Sequence, residues 1–135
     1  MPAVIKRKNK KSTLQIEDEF RTKADTLLKR EGYTVWWVPR TRLRHAGAKK
    51  DIFGVFDGIA VKGHLQVYLQ LTDYSNHASH RNKIVDWFGR SGAELPSAQL
   101  WSWHAGKAMF LVETWAYAQR DHRYWLPLNQ EPLYA

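Results

Sequence analysis

Three oxygen-bearing side chains occupy positions where the surrounding sequence predicts a hydrophobic core. Glu17 lies in a predicted helix, Asp57 in a predicted strand, and Gln70 between Leu69 and Leu71 in the next strand. Each needs a partner, because burying a polar or charged side chain alone is costly. Oxygen ligands of this kind suit a hard divalent cation such as Mg²⁺ or Mn²⁺. The sequence therefore predicts that these three side chains converge on one metal ion.

The position of Glu17 follows from the periodicity of its helix. With about 100° between successive residues, Glu17 falls inside the apolar stripe that contains Phe20 and Leu27, whereas Asp18 and Glu19 fall outside it. Two interpretations stay open. Either a partner holds the Glu17 carboxylate at the core face, or the side chain extends to solvent or an arginine from the helix end.

The elements that would position these residues follow from caps, periodicity and turn signals. Ser12 or Thr13 is expected to cap a helix that runs to about Arg30, where Gly32 stops it. The pattern then predicts, in chain order, a strand (33–38), a basic loop (40–50), an apolar strand region (51–61), a turn at 62–63 that makes a hairpin with a strand (65–71), a helix (76–88), a loop (89–96) and two strands (99–103 and 108–116). The tail after residue 116 has no clear period. This order predicts an α/β fold in which a mixed sheet is flanked by helices.

The positive charge is concentrated in the first part of the chain. The net charge is +8; residues 1–50 carry fourteen Lys and Arg against five Asp and Glu, whereas residues 51–135 carry seven against eight. We expect residues 1–11 to be a disordered basic arm and residues 12–135 to be one domain. The residues expected to contact a polyanion are Lys6, Arg7, Lys8, Lys10 and Lys11 in the arm and Arg40, Arg42, Arg44, Lys49 and Lys50 in the loop. The alternative is a solvated basic tail.

Composition excludes several classes of protein. The chain has no cysteine, which rules out disulfides, zinc–cysteine sites and thiol catalysis. We find no stretch typical of a signal peptide and no apolar run of membrane-spanning length. The expectation is an intracellular, cytoplasmic protein of a prokaryote or a phage, without a membrane partner.

The positions of Glu17, Asp57 and Gln70 resemble the motif of the PD-(D/E)xK nuclease superfamily, which includes restriction endonucleases and archaeal Holliday junction resolvases. In that family a helix carries an acid, and a later hairpin carries an aspartate on one strand and an acid, a spacer and a lysine on the other. Here Glu17 matches the helix acid, Phe56-Asp57 the aspartate motif, and Gln70-Leu71-Thr72 the triplet. The resemblance covers roughly residues 12 to 90, and it implies a restriction-endonuclease-like core.

Two departures from the family pattern bear on its chemistry. Gln70 replaces an acid with a neutral ligand, a variant known in the family, and Asp51 is the residue expected to compensate as a further metal ligand. Thr72 replaces the lysine. Some family members carry this lysine on the following helix, which makes Lys83 the first candidate and Arg81 the second. The alternative for Lys83 is an ordinary surface lysine.

The resemblance implies a Mg²⁺- or Mn²⁺-dependent endodeoxyribonuclease that hydrolyses phosphodiester bonds in DNA. The substrate could be branched, as for a junction resolvase, or the enzyme could belong to a phage or mobile element; a homodimer is implied as well. The implied catalytic set is Glu17, Asp57, Gln70 and Lys83, with Asp57, Gln70, Glu17 and Asp51 as metal ligands and Arg81 as a further DNA contact. The competing hypothesis is a non-catalytic nucleic-acid-binding module with a degenerate nuclease fold.

Other residue types that could do chemistry are interpreted as structural. His77 and His80 have no third metal ligand at suitable spacing, so a solvated helix start or a phosphate contact is expected for both. Ser75 and Ser79 form no hydrolase triad with them. Most of the seven tryptophans are expected in the core or in a dimer interface.

Overall fold

The computed structural model describes residues 12–39, 51–129 and 133–134. The basic arm (1–11) and the basic loop (40–50) lie outside these residues, and so do all the polyanion contacts predicted there. Within the described part of the chain, seven strands form one mixed sheet with a helix packed on each face. The expected α/β class, with a mixed sheet flanked by helices, is confirmed.

The strands lie in the sheet in the same order as in the chain. The helices are α1 (Thr13–Arg30) and α2 (His77–Ser91), and the strands are β1 (Thr34–Trp37), β2 (Gly58–Lys62), β3 (Leu65–Asp73), β4 (Ser97–His104), β5 (Met109–Ala116), β6 (Gln119–Pro127) and β7 (Leu133–Tyr134). Only β3 and β4 pair in parallel. Parallel strands need a crossover, and α2 provides it after one 3-10 turn (Tyr74–Asn76). Neither described helix is long and apolar enough to cross a membrane.

Helix α1 begins where the sequence predicts. The Ser12 hydroxyl accepts a hydrogen bond from the Gln15 backbone N–H (3.2 Å), and Gln15 Oε1 accepts one from the Ser12 N–H (2.9 Å). This reciprocal pair satisfies two backbone donors that the first turn of a helix leaves unpaired. At the other end Gly32 takes a φ of 90°, a conformation that favours glycine and lets the chain turn into β1.

Each face of the sheet buries its own hydrophobic cluster. One cluster lies under α1 and the other under α2. The α1 cluster includes Ala24, Leu27, Leu28, Ala60, Leu69, Trp101, Phe110 and Val112, and the α2 cluster includes Phe56, Ile84, Trp87, Phe88, Leu100 and Trp115. Trp87 and Trp101 are core residues as expected, whereas Trp36 is 53% exposed. The sheet is thus anchored from both sides, which fixes α1 and α2 relative to its edge.

Three sequence predictions are corrected by the structure. The strand expected over residues 51–61 begins only at Gly58, because Phe53 and Gly54 have positive φ and residues 51–57 form a turn closed by an Ile52–Phe56 bridge. Helix α2 passes through Gly89 to Ser91 and ends at the left-handed Gly92. The tail contains β6, whose first five residues are all exposed, so it lacks the alternation that marks a strand.

Candidate active site

A pocket of about 400 Å³ opens between α1, the end of β3, the segment before β2 and the start of α2. All five predicted metal and catalytic residues line it: Glu17 from α1, Asp51 and Asp57 from the segment before β2, Gln70 from β3, and Lys83 from α2. Thr72, Asn76 and His80 line it as well. Residues up to 66 positions apart in the chain therefore meet in one concave site, the usual form of a ligand site.

Backbone contacts on both sides fix Asp57. The residue directly precedes β2, and its carbonyl accepts a hydrogen bond from the Val38 N–H (2.8 Å) while its own N–H donates to the Leu69 carbonyl (2.7 Å). The next residue must be small, because a Cβ on Gly58 would lie 2.6 Å from Trp37 Cε3. This close packing against β1 determines where the Asp57 side chain leaves the backbone.

The Asp57 carboxylate and the Gln70 amide form the floor of the pocket. Asp57 Oδ2 accepts hydrogen bonds from the Leu71 N–H (2.8 Å) and from Gln70 Nε2 (3.3 Å). Gln70 Nε2 also donates to the Leu71 carbonyl (3.2 Å). Both neighbours of Nε2 are acceptors, which fixes the orientation of the amide. Asp57 Oδ1 and Gln70 Oε1 are left as the two oxygens with no hydrogen bond from the described residues.

The electrostatic environment of Asp57 disfavours its charged form. The pKa of its carboxyl group is raised from 3.8 to about 6, chiefly by burial. The negative charges of Asp51 and Glu17 also raise it, whereas the hydrogen bond from the Leu71 N–H and the positive charge of Arg21 lower it. Strongly perturbed carboxyl groups in clefts are candidate functional groups. A divalent cation in this pocket would stabilise the charged form of Asp57 and reduce its repulsion with Asp51 and Glu17.

The donor set fits Mg²⁺ held partly by water. Within residues 12–39 and 51–129, no group of three or more His, Cys, Asp or Glu side chains stands close enough to enclose a metal ion. Mg²⁺ is commonly held by one or two carboxylates, several waters and substrate phosphates rather than by a complete protein cage. Asp57 and Gln70 would supply the inner oxygens, while Glu17 and Asp51 add negative charge at the pocket wall.

The positively charged side chain of this pocket belongs to α2 and not to β3. Thr72, at the family's lysine position, is buried (7% exposed) and carries no charge. Lys83 lines the pocket and lies one helical turn after His80, which lines it too. Arg81 faces another way: its Nε donates to Glu113 Oε1 at 2.7 Å. Of the two candidate side chains, Lys83 therefore lines the pocket and Arg81 contacts Glu113.

A second polar site, which the sequence did not predict, connects α2 to β4 and β5. Glu113 of β5 is fully buried (0% exposed), and its Oε1 accepts hydrogen bonds from His77 Nε2 (2.7 Å) and Arg81 Nε (2.7 Å). Arg120 lies 3.4 Å from the other carboxylate oxygen. The Nδ1 atom of His77 is hydrogen-bonded to the hydroxyl of Ser102, which is also fully buried. The expectation of a solvated or phosphate-bound His77 is therefore wrong, since the ring is buried (6% exposed) in this network.

The network holds Glu113 in its charged form. Burial pushes the pKa of Glu113 upwards, but hydrogen bonds from His77 and Arg81, together with their charges, outweigh burial and bring the pKa below its usual range. A serine, a histidine and a glutamate in contact resemble a hydrolase triad in composition. Ser102 is inaccessible, however, so the arrangement clamps the first two turns of α2 onto β4 and β5.

No family model, no curated protein and no solved structure matches this chain. The geometry and charge of the pocket therefore carry the functional argument.

Proposed function

We propose that the protein is a metal-dependent nuclease that hydrolyses phosphodiester bonds in DNA and is built on a restriction-endonuclease-like core. One observation carries this proposal. Residues selected from the sequence for their chemistry, on four separate segments, line a single pocket. The element order also agrees, since a helix, a strand and a hairpin precede α2 and the parallel strand β4.

Each pocket residue has a role that follows from its place. Asp57 and Gln70 hold Mg²⁺ or Mn²⁺ through their free oxygens, and Glu17 and Asp51 strengthen its attraction to the pocket. The ion supplies activation of water and neutralisation of charge on the phosphate. Lys83 attracts the scissile phosphate and stabilises the negative charge that grows on it during attack. Thr72 adds no charge.

The partner would be DNA, for which the basic residues of the arm and the 40–50 loop supply phosphate contacts. A junction-resolving or mobile-element nuclease that acts as a homodimer in the cytoplasm is the specific form of the proposal. Branched DNA fits a small enzyme that reads shape and backbone more than sequence.

Cleavage assays test this function. Purified protein is incubated with supercoiled, linear, flapped and four-way DNA in Mg²⁺, Mn²⁺, Ca²⁺ or EDTA. We expect cleavage in Mg²⁺ or Mn²⁺ and none in EDTA, and a loss of about a hundredfold or more in Asp57→Asn and Lys83→Ala. The matched control is Asp86→Asn, on the exposed side of α2, where an exposed pair with Arg90 contributes little. Full activity in excess EDTA would contradict the metal mechanism.

A non-catalytic DNA-binding module is the second candidate, and Thr72 favours it because the lysine position of the family motif is neutral here. The two candidates differ in one result. Protein that binds every DNA substrate but cleaves none of them with any divalent metal would establish the binding module. Thr72→Lys would then be the variant to test for restored cleavage.

A further inference from the structure

An aromatic patch lies directly beside the pocket, at the end of β3. Tyr74, in the 3-10 turn, packs against His104 of β4 with ring centroids 4.6 Å apart and against Trp125 of β6 at 5.8 Å. His104 and Trp125 also contact each other at 5.8 Å. Tyr74 remains 41% exposed, so its neighbours leave a large part of the ring open. We call Tyr74, His104 and Trp125 the aromatic patch.

Cations border the aromatic patch. Lys107, from the turn after β4, places its Nζ 4.1 Å from the centroid of the Trp125 ring. Arg123 is exposed and lies opposite Glu113 in the register of β5 and β6. Because Arg123 precedes Trp125 by two residues in β6, the side chains of Arg123 and Trp125 lie on the same face of that strand. Arg120 is also exposed and reaches Glu113, whose charge Arg81, Arg120 and His77 already compensate. An exposed tyrosine ring, backed by two half-buried rings and bordered by positive side chains, could receive a base and its phosphates.

We propose that the aromatic patch binds an unpaired base of a DNA strand, stacked on Tyr74, while Lys107 and Arg123 contact the flanking phosphates. The inference rests on the proposed nuclease function and adds a substrate class to it: DNA with single-stranded or unpaired nucleotides next to the cut. Stacking on aromatic rings combined with cations along the backbone is the general mode of single-strand binding.

The patch lies at a suitable distance from the pocket. Tyr74 follows Gln70 by four residues, which spans about 13 Å of extended chain. Asp73 and Asn76, on either side of the tyrosine turn, line the pocket itself. A base on Tyr74 therefore belongs to a nucleotide a few positions from a phosphate in the pocket. Duplex DNA would have to open to reach it.

Binding measured in EDTA tests the patch separately from cleavage. Single-stranded DNA oligonucleotides carrying one 2-aminopurine are titrated with the protein, beside a duplex of the same sequence. We expect Tyr74→Leu to weaken single-strand binding about tenfold and to remove the fluorescence quenching caused by stacking, while Tyr74→Phe retains both. Lys107→Gln should reduce the slope of log affinity against log salt by about one.

The matched control is Tyr117→Leu, which removes another exposed tyrosine (69% exposed) in the turn after β5. Equal single-strand affinity of the Tyr74→Leu and Tyr117→Leu proteins would overturn the patch, even if cleavage at the pocket is intact. Equal losses on duplex and single strand would also overturn it. RNA bound far more tightly than DNA with the same dependence on Tyr74 would assign the surface to RNA instead. If the protein cleaves no DNA but Tyr74→Leu still weakens single-strand binding, the nuclease proposal is wrong and the base-binding patch is supported.

Discussion

Two carboxylates, Glu113 in the sheet and Asp57 directly before β2, have opposite environments. Glu113 contacts His77, Arg81 and Arg120, and its pKa lies below the usual range. Asp57 has one backbone N–H and one amide as hydrogen-bond donors, and its pKa is raised to about 6. Gln70 beside Asp57 pairs with Leu100, which pairs with Glu113, so the two sites occupy one row of the sheet.

The contrast indicates a structural role for Glu113 and makes Asp57 the candidate functional carboxylate. The protein surrounds Glu113 with its own positive groups, so this carboxylate is complete and stabilises the fold as it stands. Asp57 keeps a charge that the described residues leave largely uncompensated, which costs stability unless something from outside supplies a cation. Substitutions at the two positions should therefore change stability in opposite directions.

The largest expected effect on stability is at Glu113. Glu113→Gln keeps the shape of the side chain but leaves the buried end of Arg81 and the His77 ring without their charged acceptor. We expect a loss of about 3–5 kcal/mol in the free energy of unfolding. Urea titration measures it, and an unchanged midpoint would show that the network is dispensable.

The next effect has the opposite sign. In metal-free protein at pH 7.5, Asp57→Asn removes a charged carboxyl group whose pKa is raised to about 6, chiefly by burial, so we expect a gain of about 2–3 kcal/mol in the free energy of unfolding. Mg²⁺ should raise the melting temperature of the original protein but not of this variant. A destabilised Asp57→Asn protein would mean that the carboxylate is structural, like Glu113.

The pH dependence follows from the same shift. Between about pH 4 and pH 6 the folded protein retains a proton on Asp57 that the unfolded chain has released, so the stability of metal-free protein should fall as the pH rises through this window. Glu113 acts oppositely, since its contribution is present above the pKa of the unfolded chain and is lost as the pH falls through its lowered pKa. Thermal melts from pH 3.5 to 7.5 should show the Asp57 component disappear in Asp57→Asn.

The smallest expected effect lies at the rim of the Glu113 network. Arg120 is 58% exposed along its side chain and stands 3.4 Å from the carboxylate. Arg120→Gln should therefore change the free energy of unfolding by less than about 1 kcal/mol, since solvent screens the pair and two closer partners remain. A loss as large as that of Glu113→Gln would show that the network acts as one unit.

Local signals in the sequence were sufficient for much of the fold. The Ser12 cap, the end of α1 near Arg30 and the hairpin around Gly63 were all predicted, because each depends on residues close together in the chain. The candidate pocket could be assembled from polar residues in apolar contexts, and the structure places each of them at its wall. Whether they act together as a nuclease site stays a prediction.

The Glu113 network was missed although its signal was present. Glu113 lies between Val112 and Thr114 in a predicted apolar strand, the same anomaly that singled out Asp57. Its partner His77 is 36 residues away and comes from the helix across the sheet, a pairing that periodicity cannot supply. The turn before β2 was missed because Phe53 has a φ of 56°, a left-handed conformation that a bulky residue rarely adopts.

The order of the strands has a consequence for how this chain is made. In the part of the chain that the structure describes, every strand after β1 pairs with the strand that precedes it in sequence, and α2 lies between β3 and β4. Three of these connections, 63–64, 105–108 and 117–118, are short, so the entropy lost in closing each of them is small. Such a sheet can be extended one strand at a time as the chain leaves the ribosome.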